Sequence, residues 1–313
     1  MNLIKECAGA KSIGISAHVR PDGDAVGSSL ALYLYLKKTC PDADLKLFLE
    51  PAPDSLGHLP LELIDSSYCY EGTFDVYFAL DAAVDRIGDA EAFFASAKKK
   101  INIDHHISNA AGCGDVNVVN PKAGSTAEVL FALMEEDKLD MDIAMALYTA
   151  MIHDTGVFQY SNTSPETLQI AAKLIGFGFN FPRIIEESFY QKSFLQNQIM
   201  GKVLTESVRF LDDRCVYGFI DRATMNDFGA KKSDFEGIVN QLKNTKGIDC
   251  AIFMYEMEDG IYKVSMRSNE NVNVSEIASC FGGGGHIRAA GVTMNGSVEE
   301  IIAKLEEKIR EQY

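Results

Sequence analysis

No apolar stretch approaches the roughly 18 residues that a membrane-spanning helix needs, and the opening Met1-Asn2-Leu3-Ile4-Lys5-Glu6-Cys7 has no signal-peptide form. Cysteine is present but unorganised. The seven residues (Cys7, Cys40, Cys69, Cys113, Cys215, Cys250, Cys280) are odd in number and show no CxxC spacing, which argues against a disulfide framework or a zinc knot. A cytoplasmic protein is expected. Basic residues are also scarce: 29 Lys and Arg stand against 45 Asp and Glu, for a formal net charge of −16, and no basic run exceeds Lys98-Lys99-Lys100. Proteins that grip long nucleic acid by its backbone need many cationic contacts, so long duplexes are excluded as partners. Any phosphate must be caught locally, and a small phosphorylated substrate or a very short oligonucleotide fits. Internal repeats and low-complexity segments are lacking too.

Histidine is rare, and where it occurs is informative. Of six histidines, five (His18, His105, His106, His153, His286) lie in short motif segments and only His58 does not. A strand-like run, residues 12–17, leads into His18-Val19-Arg20-Pro21-Asp22-Gly23-Asp24, a broken turn before an apolar helix pattern. Residues 76–80 form a second apolar run that ends in Asp81, and residues 101–103 a third that ends in Asp104-His105-His106. Residues 144–152 read as a buried helix or strand that stops at His153-Asp154-Thr155-Gly156. In open α/β sheets ligands collect beyond the carboxyl ends of the strands, so these ends are expected to form one site. An aspartate at a buried strand end is costly unless it is paired or metal-bound. The residue types point to a metal-dependent hydrolase.

Two halves are expected. Residues 1–185 alternate apolar strands with amphipathic helices, the pattern of a doubly wound, mainly parallel α/β sheet. Residues 186–207 show helical spacing and read as a connecting helix. Residues 208–313 read as a smaller α/β domain, with hairpin signals around Asp212-Asp213 and around Glu258-Asp259-Gly260. This half carries Phe281-Gly282-Gly283-Gly284-Gly285-His286-Ile287-Arg288, whose consecutive glycines offer backbone N–H groups to an anion and let a flat base approach closely. Arg267, on the preceding strand, offers a bidentate phosphate clamp. Residues 123–128 read as a capped helix start, which either aims N–H groups at a phosphate or serves only as a cap.

Taken in order, His18-Val-Arg-Pro-Asp22-Gly-Asp24, Asp81, Asp104-His105-His106, Asp154-Thr-Gly and the glycine-His286 segment resemble the motifs of the DHH phosphoesterases. The second half resembles their DHH-associated domain. The two-domain length is similar to that of the small oligoribonucleases of the nanoRNase type, which also remove the 3′-phosphate from adenosine 3′,5′-bisphosphate. By this resemblance His18 and Asp22 hold one ion, Asp24, His105 and Asp154 hold the other, and Asp81 bridges them. The family points to manganese, with magnesium or cobalt as substitutes, and oxygen-rich ligand sets with some imidazole agree. A hydroxide shared by the two ions would attack phosphorus in line. His106 would face the phosphate or protonate the leaving oxygen, with Asp81 and His106 as the catalytic pair and Asp104 orienting a ring. Asn109, Arg267, Gly284, Gly285, His286 and Arg288 join His106 as candidate substrate contacts. The second-half residues would grip the far end of the substrate across a cleft between the domains. Asn109 could equally finish a turn.

The expected activity is hydrolysis of very short oligoribonucleotides to mononucleotides and of adenosine 3′,5′-bisphosphate to AMP. A phosphodiesterase for cyclic or linear dinucleotides (c-di-AMP or pApA type) would use the same site. A manganese pyrophosphatase would need more basic residues, and a long-strand exonuclease of the RecJ type would carry further nucleic-acid-binding modules. A catalytically silent nucleotide-binding regulator would be expected to have lost ligands. No membrane partner is expected, and the sequence leaves a homodimer open.

Overall fold

The computed structural model describes residues 1–313 and divides into two compact units, Met1–Gln191 and Lys192–Tyr313. No helix is long and apolar enough to cross a membrane.

In the first unit, α1 (Leu3–Glu6) precedes β1 (Ser12–Ser16), and α2 (Gly23–Thr39) leads to β2 (Asp44–Phe48). Then come β3 (Val76–Leu80), α3 (Glu91–Ser96), β4 (Lys100–Asp104) and β5 (Val116–Val119). The unit closes with α4 (Thr126–Phe131), α5 (Met141–Asp154), α6 (Pro165–Ile175) and α7 (Phe181–Ile185), and a π-helical turn over Glu186–Tyr190. All five strands are parallel, in the order β2-β1-β3-β4-β5. Every residue of β3 is buried, because helices cover both faces and leave no solvated side for a polar alternation. The carboxyl ends of β1, β3 and β4 therefore open at one edge of the sheet, which is where the sequence places His18, Asp81 and Asp104.

The fourth motif departs from that expectation. Residues 144–152 lie inside the helix α5, so Asp154 is its last residue rather than a strand end. Of the helix's 14 residues, Ile143, Ala144, Ala146, Leu147, Tyr148, Thr149, Ala150, Met151 and Ile152 are buried. A helix apolar on most of its surface has no amphipathic period to read. Gly27 of α2 permits close approach to this helix, since a Cβ there would lie 2.6 Å from the Ala146 carbonyl.

A single connecting helix over residues 186–207 is also not what forms. The π-helical turn ends at Tyr190. A separate helix α8 (Phe194–Glu206) then begins, with Ser193 and Gln196 in a reciprocal capping box.

The second unit continues with β6 (Val208–Phe210), β7 (Cys215–Ile220), α9 (Arg222–Phe228), α10 (Ile238–Lys243), β8 (Cys250–Glu258) and β9 (Ile261–Ser268). It ends with α11 (Val274–Cys280), β10 (Gly284–His286), β11 (Ala289–Asn295) and α12 (Val298–Arg310). The strand order is β10-β11-β9-β8-β7-β6, with only β7 and β8 parallel. One face of this sheet buries Ile252, Met254, Val264 and Met266 against α11 and α12. Residues Val298, Ile301, Ile302, Leu305 and Ile309 of α12 fall at helical spacing and are all buried there. The opposite face packs Val216, Ala251 and Phe253 on α8 and α10.

Part of the glycine run is structural. The N–H groups of Gly282 and Gly283 donate to Ser279 and Ala278 carbonyls at 3.2 and 2.8 Å and so cap α11, which corrects the expectation that they are free to bind an anion. Gly284 and Gly285 form the edge strand β10 against β11.

Candidate metal centre

The turn after β1 is built around Asp22. Its Oδ1 accepts from the Asp24 and Ala25 N–H groups at 3.0 and 3.1 Å and caps α2. Gly23 is required by space: a Cβ there would lie 2.0 Å from Cγ of the His153 ring, which packs directly on this turn. The His153 ring also meets Phe189, with ring centroids 4.7 Å apart. Asp24 is fully buried in the first turn of α2. Its two oxygens accept the N–H groups of Thr126 (2.7 Å) and Ala127 (3.2 Å), so the start of α4 is aimed at this carboxylate.

Asp81 sits just past β3 with φ of 53°, and its N–H donates to the Ile103 carbonyl at 3.0 Å. The left-handed backbone, costly for an aspartate, is held by β4 alongside. Asp81 Oδ1 accepts from the Thr126 hydroxyl at 3.0 Å. Around it, His18 Nε2 lies 3.4 Å from Oδ2, while His105 Nε2 and His106 Nδ1 lie 3.6 and 3.4 Å from Oδ1.

The histidine tautomers follow from what each ring touches. A backbone carbonyl only accepts, so the 2.9 Å contact of His18 Nδ1 with Val19 O and the 3.2 Å contact of His105 Nδ1 with Ala123 O place N–H at Nδ1 in both rings. Nε2 is thereby left as the atom open to a cation, turned toward the carboxylates. His105 Nε2 is buried without a hydrogen bond. Asp154 Oδ2 is 2.9 Å from it but makes no directed bond to it. An orphaned, buried imidazole nitrogen among carboxylates is what a cation site requires.

The electrostatics agree. Burial opposes charge on His18, but Asp22 and Asp81 outweigh it and hold the imidazole up at about 10. His105 is likewise held at about 9 against its burial, by Asp154 first. Burial, then Asp81 and Asp154, pushes Asp24 well above the usual carboxylate range. Asp81 is raised by burial and by Asp154 and Asp22, despite its contact with His18. Crowded carboxylates that resist ionisation while neighbouring imidazoles gather protons mark a place short of positive charge, which a dication supplies.

Three overlapping groups have ligand atoms within 4.8 Å of one another: His18, Asp22 and Asp81; Asp24, His105 and Asp154; and Asp81, His105 and His106. The structure thus brings together the six residues expected as ligands. The residues fit divalent ions, with carboxylate oxygen and imidazole donors and no thiolate.

Asp104 is buried behind the histidine pair. Its Oδ1 accepts the N–H groups of His105 and His106 and His106 Nδ1 (2.7, 3.0 and 2.8 Å). These bonds commit His106 Nδ1 and leave Nε2 as the ring nitrogen available to a substrate. Asn109 is a correction. Its side chain is buried, and Nδ2 lies within hydrogen-bond distance of Asp104 Oδ2 (2.7 Å), Asn102 Oδ1 (2.9 Å) and the Ala82 carbonyl (3.3 Å). It is spent inside the protein as a buttress of Asp104, not at a substrate. Sequence reading missed Asn102, whose Nδ2 ties β4 to the Ala79 and Ala82 carbonyls at 3.0 Å. It also missed Thr126, because a Ser-Thr pair at a helix start reads as a cap.

In the second unit, Arg267 pairs in register with Ala289 of β11. His286 ends β10, and Arg288 lies in the two-residue turn that follows, both exposed. A Cβ on Gly285 would meet the Ala289 carbonyl at 2.4 Å, and its φ is +150°. Gly284 faces open space.

Residues 12–151 match the model of the DHH family, N-terminal domain, and residues 212–311 match the DHHA1 domain. The chain is similar to the "Bifunctional oligoribonuclease and PAP phosphatase NrnA" of Thermus thermophilus, with 32% identity over all of this chain and 94% of that protein. The protein of the same name from Bacillus subtilis is 29% identical over 99% of this chain and 98% of its own length. A crystal structure of an exopolyphosphatase-related protein from Bacteroides fragilis superposes with a TM-score of 0.86 at 28% identity, covering 98% of this chain and 94% of that one. With 32% identity over the whole chain to the Thermus protein and both domain models matched in order, the chain belongs to the DHH family.

Proposed function

We propose that this protein is a metal-dependent phosphoesterase that hydrolyses very short oligoribonucleotides to mononucleotides and adenosine 3′,5′-bisphosphate to AMP. The observation that carries the reading is the carboxylate–imidazole cluster, in which three overlapping groups each bring their donor atoms within 4.8 Å of one another. The names of the Thermus and Bacillus relatives, matched over nearly their whole length, support the substrate class. The acidic surface, with a net charge of −16, supports the length limit.

His18, Asp22, Asp24, Asp81, His105 and Asp154 would hold two ions, manganese in our reading. Bound divalent ions supply an acidified water and positive charge at the phosphoryl oxygens. The chain's own groups do the rest. Thr126 and the start of α4 fix the Asp81 and Asp24 carboxylates. His106, its Nδ1 held on Asp104, offers Nε2 to a phosphoryl oxygen or to the leaving oxygen. Arg267, His286 and Arg288 bind the substrate away from the scissile bond, Arg267 and Arg288 through phosphate. Seven free cysteines support work in a reducing compartment, the cytoplasm.

The test is product analysis with manganese on a diribonucleotide, a short RNA of about five residues, adenosine 3′,5′-bisphosphate, linear pApA and pyrophosphate, matched to the site's expected reach. Mononucleotide release from the short RNAs and AMP from the bisphosphate are expected, with Asp81→Ala slower by about a thousandfold or more. Activity confined to pyrophosphate, or to pApA, would overturn the substrate assignment.

A further inference from the structure

Arg288 stands in an exposed turn that does not lock itself. The β10–β11 hairpin closes through the two residues Ile287 and Arg288, since His286 pairs with Ala289. Two-residue hairpin turns usually gain their rigidity from positive φ at the turn, and neither residue has it. The turn is braced instead from outside. The Ile287 and Arg288 carbonyls accept the N–H groups of Val274 and Ser268 at 3.0 and 3.1 Å. Arg288 Nη1 donates to the Val272 carbonyl at 3.0 Å, and the Ser268 hydroxyl donates to that same oxygen at 2.5 Å.

Val272 is in turn fixed from both sides. On one side, Asn271 bonds Asp249 through its N–H to Oδ1 (3.2 Å) and its Nδ2 to Oδ2 (2.7 Å). The Tyr313 hydroxyl donates to the same Oδ2 at 3.0 Å, and Arg214 lies 3.6 Å over the Tyr313 ring. On the other side, the Gln312 side-chain amide takes both backbone groups of Asn273, accepting from its N–H at 2.7 Å and donating to its carbonyl at 3.3 Å. A primary amide that matches both groups of one residue imitates a strand neighbour and orients the adjoining Val272 peptide.

We propose that Gln312 and Tyr313 are positioning residues for substrate. Through the 269–273 loop they aim the Arg288 guanidinium, leaving its remaining N–H groups for a phosphate of a short oligoribonucleotide. The inference rests on the phosphoesterase reading, in which Arg288 contacts substrate. Neither Gln312 nor Tyr313 touches the reacting atoms. Their effect belongs in KM, because they order a ground-state contact away from the scissile bond.

The experiment is a double-mutant cycle on the intact, manganese-loaded protein with a 5′-phosphorylated diribonucleotide as the probe, whose terminal phosphate is not the scissile one, scored as KM and kcat separately. Arg288→Ala is expected to raise KM about tenfold or more. Gln312→Ala should raise it about fivefold with kcat within about twofold of the parent. Tyr313→Phe, which removes one hydroxyl, should give a smaller rise in the same direction and serves if Gln312→Ala folds poorly. In the Arg288→Ala background, Gln312→Ala should have no further effect on KM. An equal KM rise in both backgrounds would show general loosening of the unit and overturn the proposal. So would an Arg288→Ala effect with none from Gln312→Ala or Tyr313→Phe, or an active parent whose KM ignores Arg288. A parent inactive on every short RNA overturns the phosphoesterase reading itself, and with it any substrate role for Arg288.

Discussion

Thr126 carries contacts to two of the proposed ligands at once: its N–H holds Asp24 and its hydroxyl holds Asp81. Thr126→Val keeps shape and the N–H but removes the hydroxyl. Manganese affinity, read from the free-ion EPR signal, should fall about tenfold, as for other losses of a ligand's hydrogen-bond partner, and Thr126→Ser should restore it. Unchanged affinity would mean the hydroxyl plays no part in holding Asp81. Gly23 makes a steric prediction of a different kind. In Gly23→Ala the new methyl falls 2.0 Å from the His153 ring and must push the Asp22–Asp24 turn aside. Manganese binding should be lost, and His153→Ala in the same chain should recover part of it. No recovery would place the strain elsewhere. These residues also show the limit of sequence. Each of the six expected ligands stands where an apolar run breaks, so burial of a charged group flagged it. Thr126, Asn102 and His153 act on other side chains, and nothing in their local pattern says so. Asn109 carried a pattern, adjacency to the histidine pair, that pointed outward while its amide turned in.

Elements were legible where periodicity was clean. Strands β1, β3 and β4 and the β6–β7 and β8–β9 hairpins of the second unit stand where alternation or a short apolar run placed them. Helix α5 was ambiguous because burial on most of its surface erases the helical period. The glycine run was half legible: a bare run does not reveal which N–H groups a preceding helix will consume, and α11 consumes two. Its remaining members separate in a testable way. Gly285, at φ +150° and with the Ala289 carbonyl 2.4 Å from where a Cβ would sit, tolerates no side chain, whereas Gly284 faces open space. Gly285→Ala should cost about 1–3 kcal/mol in urea unfolding through lost β10–β11 pairing, while Gly284→Ala should fall within about 0.5 kcal/mol of the parent. If Gly284→Ala nonetheless raises KM for a diribonucleotide, its backbone lies against substrate. If KM is unchanged, Gly284 leaves the set of substrate contacts.

At the scale of the whole molecule, each unit has its own apolar cores. Every expected metal ligand lies in the first unit, and Arg267, His286 and Arg288 lie in the second. The sequence expectation of one connecting helix over residues 186–207 failed at one place, Ser193, whose cap starts a new helix where composition runs on unchanged. Charge, by contrast, is a property that sequence states outright, and it yields the sharpest physical constraint. A protein that neutralises Z phosphates of single-stranded RNA shows a log–log salt slope near −0.7Z. With only Arg267 and Arg288 proposed as phosphate partners, 1/KM for a 5′-phosphorylated diribonucleotide should follow KCl with a slope no steeper than about −1.4. The net charge of −16 flattens it further, because salt also screens repulsion between the acidic surface and the substrate. Lengthening the RNA to about five residues should leave that slope unchanged, since only these two arginines are assigned to phosphate. Steady-state KM from about 50 to about 200 mM KCl, at fixed manganese, decides it. A slope that steepens by about 0.7 with each added residue would reveal a basic path along the surface and would overturn the short-substrate limit at its physical root.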